Sequence, residues 1–209
     1  MCSNSGRHSI FCILPPHLLR AIAEGGTPEQ RLSATRTLAL DTTMRALRLS
    51  SLMRETRSRR AEQTAPAAKN RTILQREHLQ QLPGTVVASE ASPPTPRADV
   101  AVLEAFDGLG ATWDFYFEVF DRVSIDDEGM PLDATVHYGD RYDNAFWDGS
   151  RMVFGDGDGQ LFNRFTIALD VIGHELTHGV TEDESGLAYM LARPRRGRCG
   201  AGSGRPALL

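Results

Sequence analysis

The chain has 209 residues, 41% of them hydrophobic, and carries 23 basic and 27 acidic side chains for a formal net charge of −4 at pH 7. That is apolar material for one moderate core and a small appendage, and no apolar run approaches the roughly 18 residues of a membrane-spanning helix, which leaves no membrane partner to expect. Cys2, Cys12 and Cys199 are too few and too far apart for a disulfide framework or a thiolate metal site, and Cys12 reads as an ordinary thiol. Along the chain, Ile10–Leu14 is too short for a signal-peptide core and runs into Pro15-Pro16, so no conventional secretion signal is visible. Pro28 to Met53 shows helical spacing in Leu32, Leu38, Leu40, Met44, Leu47 and Leu49, giving a small helical unit over about residues 8 to 53.

Residues 54–69 are rich in arginine and lack regular patterning, and read as an exposed linker. A nucleic-acid partner is not expected there, because no aromatic side chains interleave Arg54, Arg57, Arg59 and Arg60. Arg71–Leu74 and Thr85–Ala88 look like strands, and Ser92–Pro96 is a rigid turn. Asp99–Leu109 and Thr112–Phe120 read as two helices punctuated by Gly108 and Gly110, after which Thr135–Tyr138 and Arg151–Phe154 read as strands flanking Asn144–Trp147. Asp156-Gly157-Asp158-Gly159 lacks the later ligands of an EF-hand loop and reads as an acidic turn. The fold class is α+β, a sheet-rich lobe with one further helix at its edge. Charge divides the chain: residues 1–98 hold 14 basic and 7 acidic side chains, and residues 99–188 hold 4 and 20. The leading segment should therefore be attracted to the body that follows it.

That last helix carries chemistry. Asn163 is placed to cap it, and Ile167, Val171, His174 and His178 form one stripe at i, i+4, i+7 and i+11, which directs both histidines into the body of the domain. Two histidines four residues apart stand a turn above one another, so both imidazoles can reach one Zn²⁺, with Glu175 beside the metal where a water would be activated. The five-residue motif fits a core helix with two hydrogen-bonded histidines equally well. Gly173 interrupts the helix and Gly179 is a stop signal, while Glu182 and Glu184 could ligate only if the chain folded back after Gly179.

The residues around the motif extend the pattern. His174-Glu175-Leu176-Thr177-His178-Gly179-Val180-Thr181-Glu182, with Ser185-Gly186-Leu187-Ala188-Tyr189 after it and Tyr142-Asp143-Asn144-Ala145-Phe146-Trp147-Asp148-Gly149-Ser150 before it, resembles the thermolysin family of neutral metalloproteases. Ile13-Leu14-Pro15-Pro16-His17-Leu18-Leu19 is similar to the short propeptide of the protealysin-type branch. The resemblance implies a propeptide over 1–53, a cleavable linker over 54–69, the N-terminal catalytic lobe over 70–190 and a non-family tail over 191–209. It implies a zinc endopeptidase with His174 and His178 as ligands, Glu175 as general base and Tyr189 stabilising the oxyanion. It further implies Asn144, Ala145, Phe146 and Trp147 as the substrate-pairing edge, Asp170 as a calcium ligand, and Pro15, Pro16, Leu18 and Leu19 as inhibitory residues. Its partners would be a peptide substrate and its own propeptide, and its destination would be secreted, with cytoplasmic as the alternative given the missing signal.

The family's third zinc ligand would fall near Arg198, in a run of Gly, Arg and Ala, and after Glu184 the chain has no His, Asp or Glu. The expectation is that the helical C-terminal lobe is absent through truncation or a reading-frame change, leaving the site incomplete or inactive. The alternative is a non-catalytic remnant that binds zinc weakly and acts through protein contacts.

Overall fold

The structure, a computed structural model, describes residues 13–55 and 68–185. Chain order begins with two helices, α1 (Pro16–Gly25) and α2 (Pro28–Glu55). Each starts on a proline, whose missing N–H costs nothing in a first turn. At α2 a capping box closes the entry: Thr27 N donates to Gln30 Oε1 at 2.9 Å and Gln30 N to Thr27 Oγ1 at 3.4 Å. The linker beyond residue 55, with its expected cleavage region, lies outside the described residues until residue 68.

Five strands follow: β1 (Arg71–Gln75), β2 (Thr85–Ser89), β3 (Leu132–Val136), β4 (Ala145–Trp147) and β5 (Met152–Phe154). They form one mixed sheet in the order β2-β1-β3-β5-β4, with β1, β3 and β5 parallel and each outer strand antiparallel to its neighbour. The parallel step from β1 to β3 needs a crossover, which α3 (Val100–Phe120) supplies. Side chains alternate across the sheet as the strand period demands. Ala134, Ala145, Trp147, Met152 and Phe154 face the main core with α3 and α4, whereas Phe146 and Val153 face a second cluster with Leu40, Tyr138 and Tyr142. α2 thus covers the back of the β4–β5 end, which is why both strands are buried on both faces.

Three expected boundaries are corrected, the first being the strand expected at Thr135–Tyr138, which runs over Leu132–Val136. The 99–120 stretch is one helix, capped by Asp99 Oδ1, which accepts from Ala101 N at 2.8 Å, and ended at Asp121 in the left-handed region. Gly108 does not break it; a Cβ there would run into Ile172 Cδ1 of the next helix, so the glycine permits close packing. The motif helix, α4 (Leu169–Ser185), does not begin at Asn163. Phe165–Ile167 is a single 3-10 turn, and Ala168, extended at φ −109° and ψ 111°, separates it from α4. No helix among the described residues is long and apolar enough to cross a membrane.

Candidate metal centre

The break at Ala168 changes the phase of the helical stripe. Ile172, Glu175, Leu176 and Gly179 are the buried face of α4, while Ile167 is 53% exposed and His174 is exposed with His178 half-buried. The expectation that both histidines point into the body of the domain is therefore corrected: they stand at the margin of the buried face, open to solvent. Apolar packing chooses the other stripe, because Ile172 and Leu176 fit against α3 and the sheet. Gly179 does not end the helix either. A Cβ there would lie 2.8 Å from Ile125 Cγ2 and 3.2 Å from Trp147 Cζ2, so this glycine too serves a close approach.

Even so, the imidazoles converge. His174 Nε2 and His178 Nε2 lie 3.1 Å apart, with ring centroids at 4.7 Å and planes at 85°. Two nitrogens bound to one tetrahedral zinc at their usual bond lengths are about 3.3 Å apart, so the pair fits a shared Zn²⁺ without rearrangement. His174, Glu175 and His178 form a group whose candidate ligand atoms all lie within 4.8 Å of one another. Glu175 is 0% exposed, and its Oε2 accepts from Trp147 N at 3.0 Å, which ties the carboxylate to the sheet edge beside the histidines. The motif helix is fixed laterally by Thr177, whose hydroxyl donates to Gly173 O at 2.7 Å and lies 2.7 Å from Tyr116 OH of α3.

Glu182 and Glu184 do not join the group of His174, Glu175 and His178 among the described residues, and α4 runs on through Ser185 without folding back. Glu182 Oε2 accepts from Trp147 Nε1 at 3.3 Å, and Glu184 pairs with Arg122. Arg122 is 8% exposed and also reaches Ile125 O at 3.1 Å and Asp183 at 3.0 Å. Sequence reasoning missed it; the available signal was an arginine in a stretch with 4 bases among 20 acids. Asp170 is exposed in the first turn of α4 and joins no group of three candidate ligands among the described residues. Tyr189, the 191–209 tail and all three cysteines lie outside the described residues.

The edge strand is occupied. Ile13 N donates to Ala145 O at 3.4 Å, Leu14 N to Asn144 Oδ1 at 2.9 Å, and Asn144 Nδ2 to Leu14 O at 3.3 Å. Pro16 and Leu19 are buried, Pro15 is half-buried, and Leu18 is 45% exposed. Behind the strand, α2 contributes a polar seam. Ser33 Oγ donates to Asp143 Oδ2 at 2.7 Å, Asp143 N to Thr37 Oγ1 at 3.0 Å, and Asp41 accepts from Tyr142 OH at 2.5 Å and from Asn144 Nδ2 at 3.1 Å. Burial, with the nearby Asp158 charge, pushes Asp143 up to about 6. Among the described residues, the exposed pair Arg36–Asp140, at 2.6 Å, joins the basic segment to the acidic body.

In the acidic turn, Asp156 binds His137 Nδ1 at 2.9 Å and Asp158 Oδ1 accepts from three successive backbone N–H groups, of Gln160, Leu161 and Phe162. Both carboxylates therefore have structural work and neither forms an EF-hand loop.

A family model for the thermolysin metallopeptidase catalytic domain matches residues 26–182. The chain belongs to the thermolysin metallopeptidase family. It is 49% identical over 182 residues to an extracellular metalloprotease of Pectobacterium carotovorum, covering 86% of this chain and 50% of that protein. It is 41% identical over 183 residues to protease PrtS of a Photorhabdus species, covering 85% and 47%. Among solved structures, the precursor of protealysin, a metalloproteinase from Serratia proteamaculans, superposes with a TM-score of 0.70 at 44% identity, covering 86% of this chain and 49% of that one. The fold is thus that of the N-terminal, sheet-rich lobe of thermolysin-type peptidases, and the chain spans about half the length of the relatives it matches.

Proposed function

We propose that this chain carries the propeptide and N-terminal catalytic lobe of a secreted zinc metalloendopeptidase. The observation that supports it most is the 3.1 Å separation of the two Nε2 atoms with the buried Glu175 carboxylate alongside. His174 and His178 would hold Zn²⁺, which when bound supplies Lewis acidity toward a water and the scissile carbonyl. Glu175 takes the proton of the attacking water and delivers it to the leaving amine; its hydrogen bond from Trp147 N keeps the carboxylate aimed along the edge of β4. The edge at Asn144–Trp147, which residues 13 and 14 occupy here, would pair with the substrate backbone by strand addition once they leave. Tyr189 is assigned the oxyanion by family resemblance alone.

Residues 13–14 lie where that substrate backbone would pair, which supports residues 1–53 as an inhibitory propeptide released by cutting in the 54–69 linker. Two imidazoles leave zinc two ligands short of its usual four, and the residues after Glu184 offer no His, Asp or Glu. We therefore expect the 209-residue chain to turn over little peptide by itself. The test is hydrolysis of a casein-type substrate with added Zn²⁺, with a chelator, and in Glu175→Gln. Weak activity lost in both controls supports the reading. Robust turnover lost in Glu175→Gln means the site is complete and the missing-ligand expectation is wrong; turnover retained in Glu175→Gln overturns the role of Glu175.

A further inference from the structure

Trp147 is bonded twice to the same helix. Its backbone N–H donates to Glu175 Oε2 at 3.0 Å, and its indole Nε1–H donates to Glu182 Oε2 at 3.3 Å. The two acceptors are seven residues apart on α4, which is 20° short of two full turns and about 10.5 Å along the axis, so both carboxylates rise from one face. Between them sits Gly179. A Cβ at that position would stand 3.2 Å from Trp147 Cζ2 and 3.3 Å from Cε2, so the indole lies directly on the helix backbone in a slot that the missing side chain leaves. Trp147 is 3% exposed and pairs with Met152 of β5 on its other side. A ring held in a slot, with its far end tethered, fixes the backbone at its near end.

We propose that Glu182 is a positioning residue that acts through the Trp147 indole to hold the backbone N–H orienting the Glu175 carboxylate. The inference rests on Glu175 being the general base. The route runs through the indole: loosening it lets the Trp147 peptide swing, and the Glu175 carboxylate loses its fixed direction beside the paired imidazoles. A carboxylate free to rotate spends less of its time aimed at the attacking water, which is the kind of displacement that lowers turnover at an unchanged binding edge.

The test is amide hydrogen exchange and ¹H–¹⁵N spectroscopy on the full 209-residue chain. In Glu182→Ala the Trp147 backbone amide should shift and exchange about tenfold faster, the size of loosening one hydrogen bond to a charged group. Glu182→Gln keeps an oxygen that accepts from the indole, and should restore wild-type behaviour. The Phe146 amide, whose residue pairs with Val153, should not respond in either variant. In a Glu175→Ala background the effect of Glu182→Ala on the Trp147 amide should vanish, since the two act on one bond. The proposal is overturned if Glu182→Ala leaves the Trp147 amide unchanged, if Phe146 accelerates equally, which would make Glu182 a general tether of helix to sheet, or if Glu182→Gln behaves as Glu182→Ala. These readouts need no turnover, so a chain without peptidase activity leaves the inference standing, and Glu175→Gln in the casein assay tests the other reading separately.

Discussion

Asp143 should set the acid side of this chain's stability, in a direction opposite to most carboxylates. It is 2% exposed, sealed by Ser33 and Thr37 of α2, and its carboxyl is raised from the ordinary 3.8 to about 6, first by burial and then by the Asp158 charge, against the Ser33 bond and Arg141. A raised acid favours the neutral form in the folded state. Its contribution is therefore fully present below about 3.8 and is lost as pH rises through about 6. Two units at about 1.4 kcal/mol each make the loss about 3 kcal/mol, an order of magnitude in which full burial leaves little room for solvent screening. Asn at 143 has the same shape, still accepts from Ser33 and does not ionise. Glu90, Asp99, Glu104 and Asp158 are all held below their ordinary values and gain their stability as pH rises toward those values of 3.8 and 4.5, largely below this window, so the difference between wild type and Asp143→Asn isolates the site. Urea unfolding of both chains from pH 4 to 7.5 should show Asp143→Asn gaining on wild type by about 3 kcal/mol. A flat difference, or wild type gaining instead, would refute the argument. Since α2 forms the seal, the same titration weakens its hold on the sheet edge near neutral pH.

Leu176, 2% exposed in the main core, should lose about 2–5 kcal/mol on change to Ala, seen as a lower urea midpoint; a loss under 1 kcal/mol would mean α4 is not packed as described. His137 is raised above 6.5 mainly by Asp156 and also by Asp99, so its contribution is present below about 6.5 and lost as pH climbs through the raised value. The stability difference between wild type and His137→Ala should shrink across that window, and a difference independent of pH would contradict the assignment. Limited proteolysis should cut first between Arg54 and Lys69, leaving a fragment that begins near residue 70; a first cut inside residues 99–160 would place the domain boundary elsewhere.

The motif helix was legible because its information is local: His174 and His178 are one turn apart, and the spacing alone predicts the convergence that the 3.1 Å separation reports. Four strands were legible as short runs rich in apolar and β-branched residues, whereas Ala145–Trp147, apolar throughout and buried on both faces, shows no alternation and was marked as a strand only by the resemblance. What failed was the weighing of glycine. Gly108 and Gly179 look like breakers in a one-dimensional reading, and both sit inside helices where another residue's side chain presses against the backbone. The histidines' exposure was misjudged because one extended residue, Ala168, rotates the stripe relative to Ile167, and no propensity marks that residue. Contacts across 101 to 130 residues, such as Leu14 with Asn144 and Asp41 with Tyr142, leave no trace in spacing; only the family resemblance pointed toward the first of them.

The central claim is that His174 and His178 share one metal ion with Glu175 beside it and not bound to it. Titration of the purified chain with Zn²⁺, or with Co²⁺ as a spectroscopic substitute, addresses this directly. The account predicts one readily exchanged ion per chain, abolished by His174→Ala and by His178→Ala separately and retained in Glu175→Gln. Undiminished binding in either histidine variant would contradict it.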